Sequence, residues 1–105
     1  MVTLSNVGKP TVLIRSKEKI LNVEEGSAIE ISCSAHGFPK PHVHWRKTSN
    51  FEIQKMRHPT LVLNQIKPEN AGEYACVATN SEGKSEDVLQ INVLCKENVL
   101  PFCKV

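Results

Sequence analysis

Apolar and polar residues alternate with a period of two along most of the chain. In the segment AIEISCSA, apolar and polar side chains fall on opposite faces, as expected for a half-buried strand. The same alternation recurs in VHWRK, TLVLNQI, YACVATN and LQINV. The inward positions predicted by this pattern are Ile29, Ile31, Cys33, Ala35, Val43, Trp45, Leu61, Leu63, Tyr74, Cys76, Ala78, Leu89, Ile91 and Val93. The pattern therefore predicts a series of short strands.

Turn-forming residues bound these runs, in the segments EEGS, HGFPKP, KPENAG and NSEGK. NSEGK predicts a tight hairpin in which Gly83 takes a positive φ, and KPENAG predicts one short helical turn. Because no convincing amphipathic helix lies between the strands, the chain is expected to form an all-β sandwich or barrel.

Length and composition indicate one folded domain. The chain has 105 residues, of which 40% are hydrophobic and 23% are charged, with a formal net charge of +2. A chain of this length and hydrophobic content can bury a single core. Its net charge is too small to predict nucleic-acid binding. No apolar run approaches the roughly 20 residues of a membrane-spanning helix, so we expect no insertion into a membrane.

Four cysteines, at positions 33, 76, 95 and 103, stand 43, 19 and 8 positions apart. An even number in a short chain favours an oxidising compartment and two disulfides. Structural zinc sites usually draw their ligands from close cysteine pairs, so these intervals argue against zinc.

Cys33, Trp45 and Cys76 together resemble the cysteine and tryptophan pattern of an immunoglobulin domain. Tyr74 stands two residues before Cys76, where this family has its tyrosine corner. NAGEYAC resembles the family's D-x-G-x-Y-x-C signature, and GFPKPHVHW resembles the G-x-P-x-P-x-x-x-W of its I-set members. The resemblance covers residues 9–93 and implies a two-sheet β-sandwich with Greek-key topology.

The resemblance also assigns roles to core residues. It implies a disulfide between Cys33 and Cys76 that joins the sheets, with the indole of Trp45 packed against it. The hydroxyl of Tyr74 is expected to hydrogen-bond to the backbone a few residues upstream. Asn70 stands where the family usually has an aspartate, so the salt bridge of that aspartate is not carried over, although the amide can still hydrogen-bond.

We divide the chain into an N-terminal extension (residues 1–8), the I-set domain (residues 9–93) and a C-terminal tail (residues 94–105). The tail contains Cys95 and Cys103. One interpretation is a local disulfide that pins a short flap. The other is the start of a following module, because C-x7-C resembles the opening of a Frizzled-type cysteine-rich domain, which follows an immunoglobulin domain in muscle-specific-kinase-like and orphan-type receptor tyrosine kinases.

Candidate chemistry is sparse. His42 and His44 alternate with inward residues and should lie on the outer face, but a metal site would need a third ligand that is not evident. Cys33 and Cys76 should be buried and oxidised, which leaves no obvious nucleophile. The chain contains no G-x-S-x-G, H-E-x-x-H or phosphate-binding glycine motif. We therefore expect no enzyme activity, cofactor or metal.

Charge is unevenly distributed. Five basic residues between positions 40 and 58 outnumber the single acid Glu52, whereas residues 69–87 carry five acids against Lys84. A partner-binding or glycan-binding face is predicted at Lys40, His42, His44, Arg46, Lys47, Lys55 and Arg57. The alternative is a solvated face that keeps the domain soluble. Nucleic acid is not expected, because the basic stripe is not dense and few aromatics are free to stack.

The resemblance implies a protein-recognition or adhesion module in a larger extracellular or cell-surface protein. Its partner would be a like immunoglobulin domain, a neighbouring module or a separate protein ligand. The main alternative is an intracellular immunoglobulin domain of a muscle or cytoskeletal scaffold, in which the cysteines would be reduced. A third hypothesis is binding of a sulfated glycan such as heparan sulfate through the basic region.

Overall fold

The computed structural model describes residues 7–47 and 59–95. These residues form two facing sheets. One has three strands in the order β1-β3-β5, and the other has four in the order β2-β7-β6-β4. The strands are β1 (Thr11–Ile14), β2 (Ile20–Glu24), β3 (Ile29–His36), β4 (His42–Lys47), β5 (Thr60–Leu63), β6 (Gly72–Asn80) and β7 (Gly83–Leu94), with a 3₁₀ helix at Pro68–Asn70. The predicted all-β sandwich is confirmed.

The core lies between the sheets and uses the inward positions of the alternating pattern. Trp45 is 1% exposed, and its indole Nε1 donates a hydrogen bond of 3.1 Å to the carbonyl of Pro59. Burial therefore leaves the polar atom of this side chain paired. The other buried members of the cluster are Ile14, Ile31, Cys33, Leu61, Ile66, Tyr74, Cys76, Leu89, Ile91 and Val93.

A disulfide joins Cys33 on β3 to Cys76 on β6 and so links the two sheets. Beside it, the hydroxyl of Tyr74 donates a hydrogen bond of 2.6 Å to the carbonyl of Asn70 at the end of the 3₁₀ helix. The side chain of Asn70 accepts a bond of 2.7 Å from the backbone N–H of Lys67. The predicted tyrosine corner and the predicted helical turn are both confirmed, and the Asn70 amide closes that turn.

The hairpin between β6 and β7 has the predicted tight form. Asn80 and Gly83 are the last paired residues, and Gly83 has a φ of +145°. A Cβ built at Gly83 would lie 2.8 Å from side-chain atoms of Lys9, so both the backbone angle and the packing favour glycine.

Strands β1 and β2 were not among the strands predicted from the alternation. β1 pairs antiparallel with β3, after which the chain crosses to the other sheet, where β2 pairs parallel with β7. The apolar residues Leu13 and Ile20 are 59% and 57% exposed in these strands. Leu13 interrupts the period-two pattern of β1, whereas β2 departs from it only at Ile20 and alternates from Leu21 to Glu24.

Candidate functional site

The candidate site is the outer face of the four-stranded sheet. β4 pairs with β6 and carries alternating side chains, so His42, His44 and Arg46 lie on the face opposite to buried Trp45. His42 is exposed, whereas His44 and Arg46 are half-buried. The predicted outward orientation of the two histidines agrees with this arrangement.

An ion pair crosses this face. The guanidinium of Arg46 lies 2.8 Å from the carboxylate of Glu86 on β7, so the two side chains reach over the intervening strand β6. On β6, Ala75 stands opposite Arg46 and Val77 stands opposite Glu86, and they are 0% and 3% exposed. Long charged side chains can cover apolar surface with their stems, which explains how outward residues are buried here.

The other half of the face carries a row of amide side chains. Asn92 on β7 donates a hydrogen bond of 3.0 Å to the side chain of Asn22 on β2. Gln90 donates one of 3.3 Å to the side chain of Asn92, and Ile20, opposite Gln90, is 57% exposed. This row of amides beside an exposed aliphatic side chain offers hydrogen bonds and apolar contact, which are the means of protein recognition.

Lys47 lies apart from this face. Its position in β4 has the inward direction of Trp45, and its ammonium donates a bond of 2.6 Å to the carbonyl of Glu69. The ammonium also lies 5.7 Å from the ring centroid of Tyr74. Burial lowers the pKa of Lys47 and outweighs the opposing effect of the Glu69 carboxylate.

The structure thus brings together only part of the predicted basic region. His42, His44 and Arg46 share the outer face, while Lys47 points away from it and Lys40 is exposed in the connection before β4. Lys55 and Arg57 lie outside the described residues.

Within residues 7–47 and 59–95, no group of three or more His, Cys, Asp or Glu side chains is placed to hold a metal ion. In the same ranges, no helix has the length and apolar character needed to cross a membrane. Cys95 is disulfide-bonded. Its proposed partner Cys103 lies outside the described residues, so that pairing stays a prediction.

Two residues that the sequence analysis did not single out attach strand β1 to β7. The carboxylate of Asp87 accepts a hydrogen bond of 2.8 Å from the backbone N–H of Ile14 and one of 2.6 Å from the ammonium of Lys19. The hydroxyl of Ser85 donates a bond of 2.5 Å to the carbonyl of Pro10. These two residues could have been noticed in the sequence, because they are polar and occupy inward positions of β7. The later inward positions of that strand are apolar.

The Asp87 carboxyl is sensitive to these contacts. Burial acts to raise its pKa, but the hydrogen bonds from Ile14 and Lys19 and the charge of Lys19 outweigh burial, so the pKa is lowered. The ionised form is therefore the one that the fold stabilises.

The family comparison agrees with this architecture. A family model described as an immunoglobulin domain matches residues 9–80. Lachesin of Schistocerca americana is 35% identical over 82 residues, which cover 74% of this chain and 24% of that protein. Vascular cell adhesion protein 1 of Homo sapiens is 34% identical over 85 residues, which cover 79% of this chain and 11% of that protein.

Solved structures show the same fold. In the crystal structure of Dpr2 Ig1-Ig2 in complex with DIP-Theta Ig1-Ig3, the matching chain has a TM-score of 0.67 and 22% identity, with 80% of this chain and 32% of that chain covered. In sequence, the chain spans a quarter or less of the length of lachesin and of vascular cell adhesion protein 1. The matched residues contain the disulfide, the tyrosine corner and the buried tryptophan, and we conclude that the chain belongs to the immunoglobulin domain family.

Proposed function

We propose that this chain is a non-catalytic protein-recognition module in the extracellular part of a larger adhesion or receptor protein. The observation that carries the proposal is the 34–35% identity to lachesin and a vascular cell adhesion protein, over a domain whose sheets are joined by the Cys33–Cys76 disulfide. Disulfides of this kind persist in oxidising compartments, which favours an extracellular location.

The outer face of the four-stranded sheet is the surface that we propose for recognition. It combines the amide row, the exposed side chain of Ile20 and the Arg46–Glu86 ion pair. The Dpr2 and DIP-Theta chains, which share the fold, are described as a complex of two proteins. A protein partner, either a like domain, a neighbouring module or a separate ligand, is therefore proposed here.

The intracellular scaffold hypothesis makes a different prediction about the cysteines. Thiols in the natively sourced protein can be alkylated before any reduction and then mapped by mass spectrometry. We expect Cys33 and Cys76 to be protected as a disulfide. Free thiols at both positions would contradict the extracellular assignment and favour the scaffold, because a reducing cytosol does not maintain such bonds.

Two basic residues of the proposed heparan sulfate site are engaged within the domain. Arg46 is paired with Glu86, and Lys47 is held at the carbonyl of Glu69 on the other side of β4. Heparin retention that falls steeply with salt and is lost in an Arg46→Glu/Lys47→Glu variant would support glycan binding. The same retention in wild type and in this variant would exclude the site. An Arg15→Glu/Lys17→Glu variant, at exposed positions elsewhere, controls for the change in net charge.

A further inference from the structure

Among residues 7–47 and 59–95, the two ends of the sandwich differ in charge. We define the basic pole as residues 7–9, 36–42 and 80–84, which the strand registers place at one end of both sheets. We define the acidic pole as residues 24–30, 47, 63–73 and 94–95, at the opposite end. The basic pole has three lysines and one glutamate, whereas the acidic pole has five glutamates and two lysines.

An apolar pair stands at the basic pole. Val7 is 47% exposed and Phe38 is 56% exposed. The two residues form an isolated β-bridge, and the N–H of Gly8 donates a hydrogen bond of 3.1 Å to the carbonyl of Phe38. An exposed aromatic side chain at the end of the sandwich that also carries Lys9, Lys40 and Lys84 has the composition of an interface centre with a polar rim.

The backbone segments next to this apolar pair are joined by the side chain of Asn80. The amide nitrogen of Asn80 donates hydrogen bonds to the carbonyls of Gly8, at 3.0 Å, and Pro39, at 2.9 Å. The amide oxygen of Asn80 accepts a bond of 2.9 Å from the N–H of Glu82. The N-terminal segment, the β3–β4 connection and the β6–β7 hairpin are therefore tied together, so the apolar pair is presented in a fixed position and less ordering is needed on binding.

The acidic pole is complementary in charge and carries small exposed residues. Gly26 and Ala28 are exposed small residues between Glu24 and Glu30. Glu69, in the 3₁₀ helix, is also exposed at this end. Small side chains flanked by carboxylates give an aromatic ring room to approach, while the lysines of the basic pole meet opposite charge.

We propose that the basic pole docks head to tail onto the acidic pole of a second copy of this chain. Such a contact is heterologous, because each copy contributes a different surface, so it can continue into longer assemblies. The opposite charges steer the encounter, and Phe38 supplies the apolar anchor. Docking between the two poles does not require the chain to be extracellular, because it depends only on charge and exposed residues at the poles. Thiol mapping tests the extracellular location separately.

The test uses two charge-reversal variants of the 105-residue chain, at exposed positions. Lys40→Glu/Lys84→Glu makes both poles acidic, and Glu24→Lys/Glu69→Lys makes both poles basic. In sedimentation velocity at low salt, wild type should associate with increasing concentration, while each variant alone should stay monomeric. An equimolar mixture of the two variants should associate again, because one variant then offers the complement of the other.

Salt and the aromatic residue give further readouts. Association of wild type should disappear between about 0.01 M and about 1 M salt, as the Debye length falls from roughly 30 Å to roughly 3 Å. Phe38→Ser should weaken association at least about tenfold, as expected for an aromatic anchor. The Arg15→Glu/Lys17→Glu variant, with the same charge change as Lys40→Glu/Lys84→Glu but outside both poles, should associate as wild type does.

Three results would overturn the proposal. The first is that wild type remains monomeric at all concentrations in low salt, a result that is measured without any variant. The mixture of complementary variants could fail to associate although each is folded by circular dichroism. Association could persist unchanged in both Phe38→Ser and Lys40→Glu/Lys84→Glu, which would assign it to another face.

Discussion

The centre of the sandwich and its N-terminal margin are held by different kinds of interaction. At the centre, the disulfide, the buried indole of Trp45 and the tyrosine corner connect β3, β4 and β6. At the margin, Ser85 on β7 bonds to the backbone of Pro10, just before β1, and Asp87 bonds to the backbone of Ile14 in β1. The centre thus depends on covalent linkage and burial, and the margin depends on a few polar contacts near solvent.

The difference implies unequal local stability. Backbone segments with few buried apolar side chains and solvent-accessible hydrogen bonds open at lower free energy than the core does. In β1 only Ile14 is fully buried, whereas five consecutive residues of β6, from Tyr74 to Ala78, are buried. We therefore expect β1 to open locally while the disulfide-linked centre stays folded.

The largest effect should come from the centre. Replacing both Cys33 and Cys76 by alanine should lower the free energy of unfolding by about 4 kcal/mol, because the crosslink closes a long loop in the unfolded chain. Urea unfolding of the variant and of oxidised wild type measures the difference. Equal unfolding midpoints would show that the disulfide does not contribute to the stability of the centre.

A smaller effect is expected at the margin. Asp87→Ala should lower the free energy of unfolding by about 2 kcal/mol, since it removes the acceptor of Ile14 N–H and the partner of Lys19. Asp87→Asn is the matched control, because its amide oxygen can still accept the Ile14 bond without the charge. If urea unfolding gave the alanine variant the stability of wild type, the proposed attachment of β1 would be wrong.

The same contact predicts a dependence on pH. The Asp87 pKa is lowered in the folded state, so its contribution is fully present above the unfolded value of about 3.9 and is lost as pH falls through the folded pKa. Wild type should therefore lose more stability on acidification below about pH 4 than Asp87→Asn does. Parallel pH profiles of the two proteins would contradict this assignment.

The tyrosine corner should contribute about 1 kcal/mol. Tyr74→Phe removes the hydroxyl that donates to the carbonyl of Asn70 and preserves the packing of the ring. Denaturant unfolding should show this loss with an unchanged dependence on denaturant. A variant as stable as wild type would indicate that the bond makes no net contribution.

The smallest effect should be at the outer face. The Arg46–Glu86 pair has side chains that are 32% and 38% exposed, and exposed ion pairs contribute about 0.2–1 kcal/mol. Glu86→Gln should therefore change stability by less than about 1 kcal/mol and reduce its dependence on salt. A larger loss in urea unfolding would place this pair with the structural contacts of the margin.

The strands of the centre could be predicted from the sequence more completely than those of the margin. β3 to β7 follow from period-two alternation, because one side of each strand faces the core. β1 could not be recognised in this way, since Leu13 is apolar but exposed, whereas β2 was missed although Leu21 to Glu24 alternate. Their positions depend on pairing with strands distant in the sequence, which local pattern does not encode.

The candidate site was predictable only in part for a related reason. Proximity in sequence grouped Arg46 with Lys47, but consecutive strand residues point to opposite sides, and only Arg46 joins the outer face. The burial of Val77 could not be inferred from alternation either, because it depends on side chains of Arg46 and Glu86 that cross from neighbouring strands. Polar residues at inward positions, such as Ser85 and Asp87, were the available signal for the attachment of β1.

Native-state hydrogen exchange of wild type would test most directly whether the centre and the margin are held separately. Amides of β1, including that of Ile14, should exchange through an opening of lower free energy and weaker denaturant dependence than the amides of β6. Equal free energies and equal denaturant dependence for the two strands would show that they open as one unit and would contradict the distinction between centre and margin.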